Sequence, residues 1–217
     1  MAFLEEKRAP FVQHDAYCPE LVHAPPGKSG PPATFFPAGA EIYAQGEAKG
    51  GLYQVEFGAV RIYRLLADGR RQISAFHLGG EIFGFQDGAT HHFFAEAICA
   101  TGIRMMRTTS FDGDLTGEVL PAALRCLLRA QEHLLVLGRQ NAIERVAAFL
   151  IDICDRQGDL RQIELPMSRA DIGDYLGLSI ETVSRVFSRL RQKGVIRLPS
   201  LRSVEIVKPQ ALEDLVA

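Results

Sequence analysis

Glu181, Ser184 and Arg185 stand at positions i, i+3 and i+4, so a helix that contains them presents all three on one face. Their hydrogen-bonding types suit the reading of base edges. An arginine donates two parallel bonds to guanine O6 and N7, a glutamate accepts from cytosine N4, and a serine serves several edges. Each residue alone has a plainer account: glutamate in a first turn suits the helix dipole, serine is tolerated on a wet face, and arginine keeps a surface soluble. Charge favours the shared role. Between Ile180 and Lys208 the chain holds seven Lys/Arg against Glu181 and Glu205, a local net of +5 in a protein whose total is −2. Contact with phosphates requires such a concentration.

The elements that would position this trio are marked in the stretch Met167 to Arg197. Val183, Val186, Phe187 and Leu190 form one apolar stripe of a helix over about Ile180 to Lys193, opposite the polar trio. Ser179 can cap that helix. Ser168 can cap a preceding one, with Asp171 three residues on completing a capping-box pattern. Gly177 lies between them, where the chain reverses and a positive φ is needed. Two short helices joined by a tight turn are expected, with Ser168, Ser179, Thr182, Arg189, Arg191 and Lys193 as phosphate or supporting contacts. Beyond them, Val195–Arg197 and Ser203–Val207 around Pro199 read as a wing.

Upstream, the runs EIYAQ, GLYQVEF, AVRIYRLL, QISAFHL, FFAEAI and IRMMRT alternate with glycines, as short strands of a barrel or jelly roll do, and Asp68–Gly69 marks a hairpin turn. Leu120, Leu124, Leu127 and Leu134 follow steps near 3.5 over Leu120 to Leu137, the mark of a coiled-coil seam that would pair two copies. Leu128 and Leu135 widen that stripe and are free to face the strands, while Gln131 interrupts it. A second helix begins near Asn141, is apolar at Ile143, Val146, Ala147, Leu150, Ile151 and Cys154, and ends by Gly158. The expected fold class is therefore α+β. Its divisions are an irregular tail at 1–33, a sensor-like β-roll at 34–116, a dimerisation helix at 117–138 and a DNA-binding domain at 139–217.

A composition of 47% hydrophobic and 23% charged residues is that of a folded globular chain, and the start, MAFLEEKRAP, leads into no apolar run. Cytoplasmic location and no membrane partner are the expectations. Cys18, Cys99, Cys126 and Cys154 are widely separated with no C-x-x-C pair, against both a disulfide framework and a zinc ribbon. Burial is the expected role of Cys126 and Cys154, with a redox-sensing thiol as the alternative. His77, His91 and His92 invite a metal reading, but neighbours in a strand point to opposite faces, so His91 and His92 are expected as a surface loop pair. No metal, cofactor or catalytic residue is expected. A cupin-like metalloenzyme would want a close His-x-His and a carboxylate, and no nucleophile–base pair supports an enzyme.

The segment DIGDYLGLSIETVSRVFSRL, with its E-T-V-S-R core, resembles the recognition unit of the FNR/FixK branch of the CRP/FNR transcription regulators, and the likeness extends from about Phe36 to Lys208. P-A-G-A-E-I-Y-A-Q-G, F-G-A-V-R-I-Y and G-G-E-I-F-G are similar to that superfamily's cyclic-nucleotide-binding β-roll. The resemblance implies a β-roll (jelly roll), a long dimerisation helix and a C-terminal winged helix-turn-helix. It implies a homodimer on an inverted repeat of double-stranded DNA with half-sites near TTGAT, and mostly activation of low-oxygen genes through RNA polymerase, which relatives touch near the segment matching His77 to Gln86. Two family features are missing here. Members that bind cAMP clamp its phosphate with an Arg-Ser pair after the G-E-x-x-G turn, and this chain has ATHHFFAEA there and no arginine between Arg71 and Arg104. FNR-type members hold an iron–sulfur cluster with several tail cysteines, whereas this tail has Cys18 alone and the remaining ligand position falls on Arg104, not Cys99. Neither ligand is expected. A small-molecule gate using the β-roll pocket stands as the alternative.

Overall fold

The computed structural model describes residues 32–106, 117–139, 141–158 and 161–216. The expectations for the tail through residue 31, Cys18 included, lie outside the described residues. From Thr34 to Met106 the chain makes β1 (Thr34–Phe36), β2 (Glu41–Tyr43), β3 (Leu52–Phe57), β4 (Ala59–Leu65), β5 (Arg71–Leu78), β6 (Ile82–Phe83), β7 (Phe94–Ala97) and β8 (Thr101–Met106). They form two antiparallel sheets of order β1-β8-β3-β6 and β2-β7-β4-β5. Tyr43, Val60, Ile62 and Ala95 from one sheet meet Val55, Phe83 and Ile103 from the other, which closes the jelly roll around an apolar centre. The Asp68–Gly69 turn joins β4 to β5 as expected, with Leu65 opposite Arg71.

One expectation for the roll is corrected. His91 is not a surface residue: its ring is buried and stacks on Tyr43 at 3.6 Å between centroids, while the Gln86 amide lies 3.1 Å from its Nδ1. Two flat rings that stack remove more surface from water than one ring and a solvated imidazole, and only His92 stays exposed. The stretch His77 to Gln86 is accessible in part, with Gly79, Glu81, Phe85 and Gln86 half-buried. His77, Leu78, Ile82, Phe83 and Gly84 are buried, and only Gly80 in that stretch is exposed.

A 20-residue helix follows, α1 (Val119–Gly138), and then α2 (Ala142–Arg156), whose first turn is capped by Asn141 accepting from Ile143 N. On α1 the four expected seam leucines are exposed, and so are Leu128 and Leu135, although Leu135 also borders a cavity lined by roll residues. The contact with the roll belongs to a different stripe. Ala122 packs with Leu52 and Ile82, the Cys126 thiol reaches the Ile82 carbonyl at 3.6 Å, and Arg129 pairs with Glu81 at 2.9 Å. Glu81 also holds Arg156 of α2 at 2.9 Å. Burial works against its charge, but the His77 ring 3.5 Å away and the two guanidiniums outweigh it and keep the carboxyl well below its usual range.

The C-terminal part contains β9 (Gln162–Glu164), α3 (Arg169–Leu176), α4 (Ile180–Gln192), β10 (Ile196–Arg197), β11 (Ser203–Ile206) and α5 (Pro209–Glu213). The expected wing strands are β10 and β11, and β9 adds a third strand on the far side of β11. The three residues of β9, QIE, are too few to show an alternation in the sequence. The Gln157 side chain fixes it to the end of α2, accepting from Glu164 N at 2.9 Å and donating to Glu164 O at 2.7 Å. One hydrophobic core runs from Ile73 and Phe76 on β5 through Phe149 and Leu150 on α2 to Ile172, Leu176, Phe187 and Leu190. The roll and the C-terminal part are thus packed on each other.

Candidate nucleic-acid interface

The capping arrangement at α3 forms as the sequence suggests. Asp171 N donates to Ser168 Oγ at 3.1 Å while Ser168 N donates back to an Asp171 carboxylate oxygen at 3.0 Å, satisfying two amides that a helix start leaves without partners. At the far end Gly177 has φ 64°, and Leu178 N donates to Gly173 O at 3.0 Å. Gly173 matters as much. A Cβ placed on it would lie 2.6 Å from the Leu178 carbonyl oxygen, so the turn can fold this tightly only because α3 carries no side chain there. Ser179 then caps α4, accepting from Thr182 N at 3.2 Å. Thr182 is thereby a brace for the helix start.

Val183, Val186, Phe187 and Leu190 are all buried, and such full burial contributes about 1.5–3 kcal/mol for each large side chain. That stripe fixes which way α4 faces. Glu181, Ser184 and Arg185 stand exposed on the opposite side, together at the N-terminal half of the helix. Ser184, Arg185, Ser188, Arg189 and Gln192 line a shallow groove along the same face. Arg191 and Lys193 are exposed at the C-terminal end. The Ser179 hydroxyl and the neighbouring Arg185 hold the Glu181 carboxyl below its usual value, so it is an anion and an acceptor at neutral pH. Serine, carboxylate and guanidinium therefore point outward side by side.

Two features escaped the sequence reading. Arg169, the first residue of α3, lies over the Phe187 ring at 3.4 Å to the centroid, and burial pushes its guanidinium down to about 10. This stack ties α3 to the underside of α4. Arg61 and Arg71 of the roll reach Asp171 and Asp174 on α3, pairs that connect residues about a hundred positions apart and leave no local signature. Burial pushes the Cys126 thiol up, which keeps it protonated, and Cys154 is half-buried beside the α2 stripe. Among the described residues no group of three or more His, Cys, Asp or Glu is placed to hold a metal ion, and no helix is long and apolar enough to cross a membrane.

Comparison with known proteins agrees with this geometry. The Crp-like helix-turn-helix domain model matches residues 144–215, and the cyclic nucleotide-binding domain model matches residues 33–111. The nitrogen fixation regulation protein FixK of Rhizobium meliloti is 54% identical over 90% of this chain and 93% of its own. The chain belongs to the FixK-like branch of the CRP/FNR family. The transcriptional activatory protein AadR of Rhodopseudomonas palustris is 35% identical over 81% of this chain and 77% of its own. The solved structure of FixK2 from Bradyrhizobium japonicum superposes with a TM-score of 0.78 at 42% identity, covering 85% of this chain and 98% of that one. As a FixK-like transcription regulator the protein binds DNA through its helix-turn-helix, and its family is one of regulators rather than enzymes.

Proposed function

We propose that the protein is a homodimeric activator of low-oxygen-type genes that binds an inverted repeat with half-sites near TTGAT. The observation that carries this reading is the exposed row of Glu181, Ser184 and Arg185 on a helix whose other face is wholly buried. Arg185 and Glu181 take the G·C pair of the half-site, donating to guanine and accepting from cytosine, and Ser184 takes a neighbouring thymine. Arg189, Arg191 and Lys193 hold phosphates. The two copies meet along α1, where Leu120, Leu124, Leu127 and Leu134 present an apolar row that the single chain leaves in water. Bound at the promoter, the dimer contacts RNA polymerase through the β-roll surface near His77 to Gln86, where Gly80 is exposed, in the cytoplasm where DNA and polymerase are found.

The reading needs neither cAMP nor an iron–sulfur cluster. Protein purified in air without additives is expected to be colourless and to shift DNA carrying the inverted repeat while leaving scrambled DNA free. Specific binding that arises only with added cAMP, or only after anaerobic cluster assembly, would contradict it. A second reading, DNA binding gated by a small molecule, is favoured by a cavity of about 480 Å³ between the roll and helices α1 to α3, bordered by Phe76, Phe83, Cys126, His133 and Tyr175. A ligand retained in native mass spectrometry, whose removal changes DNA affinity, would select that reading.

A further inference from the structure

We propose that Arg71, together with Arg61, is a positioning residue for the DNA reader: it locks α3 to the β-roll and thereby sets which half-site spacing the dimer accepts. This rests on the dimeric inverted-repeat reading above.

Arg71 spans two acidic residues of one helix. Its terminal nitrogen lies 2.6 Å from an Asp171 carboxylate oxygen and 2.9 Å from Asp174, and its Nε donates to the same Asp174 oxygen at 3.1 Å. Arg61 adds a bond to the same Asp171 oxygen at 3.2 Å, while its other terminal nitrogen pairs with Glu96 across the sheet. The second Asp171 oxygen is occupied by the Ser168 capping box, so this carboxylate is gripped on both sides. These groups are not a loose surface pair. The side chains of Arg61 and Asp171 are only 15% and 5% exposed, and the Arg71 guanidinium lies over the Tyr63 ring at 5.6 Å. A planar fork held at several points resists rotation as a single flexible ion pair does not.

The same face of α3 makes a second set of contacts, toward α1 and β5. Tyr175 stacks on His133 of α1 at 3.8 Å and lies 5.1 Å from Phe76 of β5, and its carbonyl is 2.9 Å from His133 Nε2. An eight-residue helix held by both sets of contacts cannot pivot without breaking one of them. Helix α4 follows α3 as one body, because the turn closes over Gly173 and Arg169 stacks under Phe187. In this docked arrangement Glu181, Ser184 and Arg185 remain exposed, so the clamp holds the reader without covering it. Each base pair added between half-sites shifts one by 3.4 Å and turns it by roughly 34°. A reader fixed to the roll cannot follow such a shift, whereas a released one can.

The test measures binding of the full chain to inverted repeats whose half-site separation changes in steps of one base pair. Wild type is expected to prefer one spacing over its neighbours by about tenfold or more, whereas Arg71→Gln and Asp174→Asn reduce the preference to about twofold. Half-site base preference should persist in both. Arg71→Lys, which keeps the charge but loses the planar fork, should recover only part of the spacing preference. Asp171 is left intact because its capping role would confound the result. A folded Arg71→Gln protein with the wild-type spacing profile overturns the proposal, as does a variant that binds more tightly at every spacing, since the docked state would then oppose DNA. Failure of wild type to bind any inverted repeat would overturn the dimeric reading, and this proposal with it.

Discussion

Replacing Leu127 and Leu134 together by lysine is expected to convert the protein into monomers that bind the inverted repeat about 100-fold or more weakly, because two linked half-sites give that order of gain over one. The fold should survive. Both leucines are exposed in the single chain, at 55% and 69%, and lysine has nearly the helix propensity of leucine. In a dimer the same positions bring ammonium groups into an apolar seam, and a buried charge without a partner costs several kcal/mol. Sedimentation velocity distinguishes the outcomes. A double variant that still sediments as a dimer with unchanged affinity would place the interface away from this face of α1.

Arg185→Ala is expected to weaken binding to the repeat by about 1–3 kcal/mol per half-site and to relax the preference at a single base pair, the consequence of losing a bidentate bond to guanine. Because Arg185 is exposed and lies outside the buried stripe of α4, thermal stability should change little. Arg191→Ala and Lys193→Ala serve as the comparison. If these side chains touch only phosphate, their loss weakens all sequences alike and lowers the salt slope by about one for each contact. Titrations at several salt concentrations separate the two classes. Equal losses for Arg185→Ala on the repeat and on scrambled DNA would make it a phosphate contact and remove the base assignment.

The reader was legible in the sequence because its determinants are local. Serine caps, a glycine at a reversal, and an apolar stripe opposite a polar one are each set by residues within four positions of one another. Most strands of the roll were legible from apolar runs between glycines, β2 among them, whereas β1, β6 and, in the C-terminal sheet, β9 hold only two or three residues with no such run around them. Long-range contacts were not legible. The widened leucine stripe left Leu128 and Leu135 free to face the roll, yet the contacts of α1 with β6 and its neighbours are made by Ala122, Cys126 and Arg129, whose partners Ile82 and Glu81 lie about forty residues upstream. His91 looked like half of a surface pair because its stacking partner, Tyr43, lies on another strand. Asp171 was legible as a cap, but its second role depends on Arg61 and Arg71, which only the folded chain brings to it.

Selection of bound sequences from random double-stranded DNA by the purified wild-type protein tests the central claim most directly, since it reports base code, symmetry and spacing at once. The account predicts an inverted repeat with half-sites near TTGAT at one spacing, enriched without cAMP and in air. Enrichment of a single asymmetric site, or of no sequence above background, would contradict it.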